Sequence, residues 1–377
     1  MSFLEKAKSV KWKHYLNYMV VTLITLIYTF ISLGGGLKAS SAYMLENIAT
    51  AIILAVSLSI VVGFLGELSL GHAGFMCVGA YIGGKVASLI DATGENHFAL
   101  IITVIIGGLA AAACGFVVGL PALRLKGDYL AIVTLAFGEI VRSIFQNTTK
   151  ESFGGALGLS TPRYDKEYMF IYAFLAVLLC LAVTQNIIRS KHGRAITAIR
   201  DNEIAARATG INVTKYKLYA FMVSAFFAGV AGVIYSHTHF TIQPAQFSYN
   251  YSIEILVMVV LGGMGSVNGS LIAAALITFL NNKLSTVLTG DLAVLKNLIY
   301  ALVLILIVIY NNAPALKSFR EKYNIHTLRR KLFSRHPHVA DLDSARWDVV
   351  PTKISMDEVL SVDLNVQESV RDKGDKK

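Results

Sequence analysis

Apolar residues in this chain run in blocks long enough to cross a hydrocarbon core, with short polar connections between them. Blocks at 15–33, 43–63, 72–90, 98–120, 129–147, 168–188, 218–236 and 293–310 each approach the span length. A membrane helix needs about 20 such residues. Residues 251–281 break the pattern. Two apolar pieces, 253–261 and 271–280, flank Gly262-Gly263-Met264-Gly265-Ser266-Val267-Asn268-Gly269. Each is short for a span, so the region reads either as two short spans or as one re-entrant pair, and irregular backbone at that depth has to be buried in protein or line a wet cavity. The expected fold is an all-α polytopic transmembrane helical bundle of about 8–10 spans with Gly-broken or re-entrant segments. A second break, Gly63-Phe64-Leu65-Gly66 followed by Ser69-Leu70-Gly71-His72-Ala73-Gly74, precedes another small-residue helix. Paired Gly-broken segments in two halves point to a transporter pathway.

Composition agrees with a membrane protein: 55% of the residues are hydrophobic and only 15% charged, against about 25% charged in soluble domains. The net charge of +10 does not indicate nucleic acid, because Lys and Arg fall between apolar blocks and form no continuous face. They follow the positive-inside rule instead. Residues 189–217 carry Arg189, Lys191, Arg194, Arg200, Arg207, Lys215 and Lys217, the densest basic loop. The rule puts this loop, Arg124 and Lys126, the N-terminus and the tail in the cytoplasm. The 91–97 loop, with Asp91 and Glu95, and the 237–250 loop are then outside. The first block is longer than the roughly 7–15 apolar residues of a signal peptide, so it reads as an uncleaved span. The organisation expected is 1–14 as cytoplasmic N-terminus, 15–312 as a transmembrane domain, and 313–377 as a charged cytoplasmic tail of partly disorder-prone composition.

Little of the chemistry points to catalysis. Cys77, Cys114 and Cys180 lie in apolar blocks and read as small core residues. Gly79 to Val86 nearly fits a phosphate-binding loop, but Val86 supplies no hydroxyl and no strand precedes it. His237 and His239 share the expected outer loop without an acid or Cys to complete a metal site. No cofactor or metal is therefore expected in this chain. Acids inside spans are costly and face a partner or water. Glu46 and Glu254 fall near outer span ends. Glu139 precedes Arg142 by one turn, as an intrahelical pair does. Glu67 stands in the first break beside Ser69 and His72, a polar trio suited either to a pathway or to a cytoplasm-facing turn. With the second break, the candidate pathway residues are Glu67, Ser69, His72, Glu139, Gly262, Gly263, Ser266 and Asn268. An ion-coupled secondary transporter would place Glu67 or Glu139 on its path. A membrane-embedded enzyme would need a catalytic cluster, and none convinces.

The segment His192–Val213, HGRAITAIRDNEIAARATGINV, is the most informative. Its apolar and charged residues mix around a single helical wheel, unlike a helix lying on lipid. Two short helices fit better, the second capped by Asn202, with Glu203 in its first turn and Gly210 past its end. A compact small-residue helix in a loop suits a groove on a partner protein.

Four ordered blocks carry a resemblance: GFLGELSLGHAGFMCVGAY (63–81), LRLKGDYLAIVTLAFGEIVR (123–142), GRAITAIRDNEIAARATGINV (193–213) and VLGGMGSVNGS (260–270). Through them the chain resembles the permeases of branched-chain amino-acid ABC importers, the LivM-type family, whose close relatives carry urea or short-chain amides. The resemblance covers about residues 40–312. It implies a transport subunit of a bacterial cytoplasmic (inner) membrane, not an enzyme. Its partners would be a second paralogous permease, two cytoplasmic ATPase subunits that hydrolyse the ATP, and an extracytoplasmic substrate-binding protein. It further implies that Gly193, Arg194, Ala198, Arg200, Asp201, Asn202, Glu203, Ala205, Ala206 and Gly210 form the ATPase-coupling loop. The tail beyond residue 317 lies outside the resemblance.

Overall fold

The computed structural model describes residues 16–33, 38–91, 96–122, 127–162 and 169–287, with 125, 301, 302 and 305, all within the unit Met1–Val308. The expected N-terminal segment, most of the last span at 293–310 and the tail fall outside the described residues. Helix α1 is Leu16–Leu33 and α2 is Ala39–Ser59, continuing through a wide π turn, Ile60–Leu65. Then come α3 (His72–Ile90), α4 (His97–Ala122), α5 (Asp128–Gln146), the single turn α6 (Lys150–Phe153) and α7 (Met169–Arg189). A loop with α8 (Lys191–Asp201) and α9 (Glu203–Ala208) leads into α10 (Val213–Thr238). The glycine-broken region holds α11 (Tyr249–Gly262) and α12 (Val267–Val287). Strands β1 (Leu159–Ser160) and β2 (Thr241–Ile242) pair antiparallel in the connections that leave α6 and α10.

Five helical segments among the described residues are long and apolar enough to cross a membrane: 39–65, α3, α4, α7 and α10. The chain is an all-α polytopic membrane bundle. α2 sits at its centre, with 94% of its apolar window buried, under α7, α10, α11 and α12. Outward faces carry large apolar side chains such as Phe30, Phe98, Val117 and Leu175. The hydrophobic effect cannot drive helices together in lipid, so close backbone approach does much of that work. Here α3, α4 and α10 meet through small residues. A Cβ on Gly79 would overlap the backbone of Gly229, and one on Gly229 would run into Ala111 and the Gly107 carbonyl.

Three expectations are corrected. α2 begins at Ala39 rather than 43, and its helix does not stop at Gly63 but runs on to Leu65. Over 251–281 the chain forms two helices of unequal length, 14 and 21 residues, on either side of the glycine turn. At about 1.5 Å per residue, the 14 residues of α11 rise about 21 Å, short of a hydrocarbon core of about 30 Å. At its N-terminus the Tyr249 amide donates to Glu139 of α5 at 3.0 Å. Finally, His237 belongs to no outer loop. It lies in the last turn of α10, fully buried, with Nδ1 3.0 Å from the Pro162 carbonyl. The hydroxyls at that polar end are satisfied by back-bonding within the helix, Ser236 to Val233 and Thr238 to Ile234, so they can stay buried there.

Gly79→Leu should force α3 and α10 apart and cost at least about 1–3 kcal/mol. The measurement is the thermal midpoint of the detergent-purified protein, expected several degrees below wild type.

Candidate functional site

The two glycine breaks meet at the end of the bundle that carries the α8–α9 loop. In the first, the π turn shifts the ladder. Both Gly66 and Glu67 donate to the Val61 carbonyl, and Gly66 takes the left-handed conformation, φ 78°, that glycine tolerates best. Glu67 is thus diverted from Gly63, the carbonyl an α-helix would give it. Arg200 of α8 takes that carbonyl instead, Nη1 donating at 3.1 Å. In the second break, Gly263 and Gly265 turn the chain at φ 92° and 84°. Ser266 caps α12, accepting from the Gly269 amide at 3.1 Å. Gly262 and Gly269 lie too close for any side chain. A Cβ on Gly63 would stand 2.7 Å from the Gly265 nitrogen, and one on Gly66 would stand 2.6 Å from Arg200 Cγ. Arg200 therefore packs over both breaks at once.

Beside it sits a buried charge cluster. Lys217 of α10 has a side chain only 3% exposed, with Nζ 2.5 Å from Glu67 and 3.3 Å from Glu203. Glu203 also accepts from Arg207 at 3.0 Å. Three elements, the first break, α9 and α10, are thus joined through one ammonium. A buried charge left without its partner is strongly destabilising.

The link 66–71 is irregular backbone inside the bundle, and other helices satisfy it. The Leu70 amide donates to Thr134 Oγ1 at 3.0 Å and the Ala73 amide to Ser252 Oγ at 3.0 Å. His72 Nε2 lies 2.8 Å from Ser57 Oγ, and Ser224 donates to the Ser57 carbonyl. The expected trio therefore separates: Glu67 goes to Lys217, His72 to Ser57, and Ser69 is buried. The link is irregular and His72 already belongs to α3, so the three side chains share no common face. Glu139 pairs with Arg142 at 2.7 Å and also caps α11. Gly262, Gly263 and Ser266 form the second break, and Asn268 is exposed in the first turn of α12.

The 189–217 loop folds as two capped helices. Ser190 accepts from His192 and Gly193, Asn202 from Ala205, and Asn212 from Lys215 at the start of α10. Gly210, φ 86°, follows α9. The wheel mixes only when both helices are drawn as one, and α8 taken alone sorts cleanly. Ala195, Ile196 and Ile199 are buried against the bundle. Gly193 packs on the carbonyls of Ile187 and Ile188, and Ala206 is 4% exposed. Arg194, Asp201, Asn202 and Ala205 stay exposed, Ala198 and Glu203 partly so.

Two residues escaped the sequence reading. Lys217 counted only as loop charge. Its signal was its place on the buried stripe of α10, in register with Val213, Ala220, Phe221 and Ser224, since an ion on a core stripe implies a partner. Ile204 is apolar yet 78% exposed, at the tip of a basic loop rather than on an apolar helix.

A bundle of membrane-crossing helices, broken twice by glycine and clasped by a capped loop, defines a multi-pass membrane transport protein. The family model described as branched-chain amino acid transport system / permease component matches residues 41–308, and the chain belongs to that family. It is 35% identical to the high-affinity branched-chain amino acid transport system permease protein LivM of Salmonella typhimurium over 325 residues, 76% of this chain and 73% of the relative. Against LivM of Escherichia coli K12 identity is 38% over 282 residues, 65% of either chain. The ribose import permease protein RbsC of E. coli K12 is more distant, 26% over 294 residues, 71% of this chain and 84% of the relative. No solved structure matches the chain. Permease subunits of this kind are not enzymes.

Lys217→Met should strand Glu67 and Glu203 and cost about 3–5 kcal/mol. Lys217→Met with Glu67→Gln should recover part of that loss. Thermal unfolding of the three proteins in detergent measures the coupling, and additive losses would show that the pair carries none.

Proposed function

We propose that this chain is a permease subunit of an ATP-driven importer of branched-chain amino acids in a bacterial cytoplasmic membrane. A paralogous permease completes the pathway, and an external binding protein delivers the solute. The chain holds no cofactor of its own, and two ATPase subunits hydrolyse the ATP. The basic loop end, both termini included, faces the cytoplasm. The carrying observation is the grip of Arg200 and Lys217, which ties the exposed α8–α9 surface to both glycine breaks.

The coupling surface is the exposed part of the loop: Arg194, Ala198, Arg200, Asp201, Asn202, Glu203, Ala205 and Gly210, with Gly193 and Ala206 supporting it from beneath. Ile204 adds an apolar knob for a groove on the ATPase. Anchors of this sort dominate interface energetics when they are desolvated at the centre of a contact. Closure of the ATPase pair would shift α8–α9, and the shift reaches Gly63 and Gly265 through Arg200 and reaches Glu67 through Lys217. The pathway candidates Glu67, Ser69, His72, Glu139, Gly262, Gly263, Ser266 and Asn268 border or tie together the segments that would move.

Ile204→Asp should abolish co-purification of the ATPase and lower leucine uptake by at least about tenfold, at unchanged membrane abundance. Arg200→Ala should keep the ATPase bound and lower uptake about tenfold or more, the worth of a hydrogen bond from a charged donor. Uptake at the wild-type level in either variant would remove the loop from coupling. Substrate is tested in cells lacking the chain. Its return should restore labelled leucine uptake that valine suppresses and urea does not. Restored urea uptake alone would overturn the substrate.

A further inference from the structure

A cavity of about 180 Å³ opens among α2, α10, α11 and α12, away from the Arg200 junction. About 24 Å of helix rise separates Asn47 on its wall from Gly63. Its lining is built at helical spacing. Asn47 and Ala51 are one turn apart on α2, Glu254 and Met258 one turn apart on α11, and Thr278 and Asn281 on α12. Three otherwise apolar helices turn polar atoms onto one space. Polar groups are expensive at that depth and mark ligand or ion pathways.

The groups have a sense of direction. Asn281 donates to Glu254 Oε1 at 3.4 Å, so the acid stands on the amide side of the cavity. The Thr278 hydroxyl is buried and has no hydrogen-bond partner among the described residues. Ala51 and Met258, 4% and 3% exposed, supply apolar floor. His239 closes one shoulder, 2.7 Å from the Tyr43 hydroxyl and stacked on Tyr235. An acid, several amide and hydroxyl groups, and an apolar patch together complement a zwitterion with an aliphatic side chain. The volume suits it, since a cavity of roughly 150 Å³ takes a six-carbon ring.

We propose that this cavity binds the aliphatic amino acid in transit, its ammonium group at Glu254, its carboxylate at Asn47, Thr278 and Asn281, and its side chain over Ala51 and Met258. The assignment rests on the importer reading. It makes the permease itself a second point of selection, after the external binding protein.

The test uses the whole complex in proteoliposomes, with permease pair, ATPases and loaded binding protein, and normalises rates to assembled complex. Ala51→Leu narrows the floor. It should lower leucine uptake more than valine uptake, shifting their ratio by at least about tenfold, the worth of one methylene in a fitted pocket. Glu254→Gln should lower uptake of both by about tenfold or more, and Glu254→Asp should recover part of the rate. An unchanged leucine-to-valine ratio in Ala51→Leu, or wild-type rates in Glu254→Gln, would overturn the cavity while the wild-type complex still transports. If Ala51→Leu does not assemble, the Glu254 pair decides. A wild-type complex that moves no branched-chain amino acid overturns the importer reading and the cavity with it.

Discussion

Backbone groups released inside a bilayer have no water to bond, so every break in a spanning helix must be answered by another part of the protein. This chain breaks its helices around 66–71 and again at 263–266, and amides beside the first break and at the start of α11 find side chains on neighbours. Leu70 finds Thr134, Ala73 finds Ser252, and Tyr249 finds Glu139. These bonds tie α3, α5 and α11 into one unit at the depth where the chain is least regular. α11 supplies the acceptor at the start of α3, and α5 supplies those for Leu70 and Tyr249.

At the loop end the same logic is carried by charge. Arg200 substitutes for a lost helical amide at Gly63, and Lys217 neutralises two acids in a nearly dry setting. Such a setting gives little net stability, since desolvation offsets most of the attraction. It gives geometry instead. The planar, permanently charged guanidinium holds a fixed fork, and the glycine surfaces beneath leave it no slack. On the coupling proposed above, a displacement of α8 would be passed to Gly63 through this contact.

Much of this was legible in sequence because its signals were local. Apolar block length located α3 to within a residue and α4, α5 and α7 nearly so. The Asn202 cap and Gly210 marked α9, and the i, i+3 spacing marked Glu139 with Arg142. The long-range arrangement was not legible. Nothing near Glu67 announces Lys217, 150 positions away. The mixed wheel through 192–213 pointed to two helices, but not to which face of α8 turns inward. His237 was misplaced because hydropathy counts a polar side chain as a reason to leave the membrane, whereas a helix end can bond it inward. Ile204 was passed over because an isoleucine among charges is unremarkable until its exposure is known.

The centrality of α2 bears on how the protein is made. Three of its four covering helices, α10, α11 and α12, come from the second half of the chain, the last of them ending at Val287. At synthesis rates of about 5–20 residues per second, roughly 10–45 seconds pass between emergence of Ser59 and of Val287. Over that interval the packing around α2, whose Glu46, Ser57 and Ser59 side chains are buried in the finished bundle, is incomplete until α10, α11 and α12 arrive. Biogenesis of this subunit thus includes a waiting period for its central helix, during which the insertion machinery or a holding factor has to shelter a helix made for protein contact rather than for lipid.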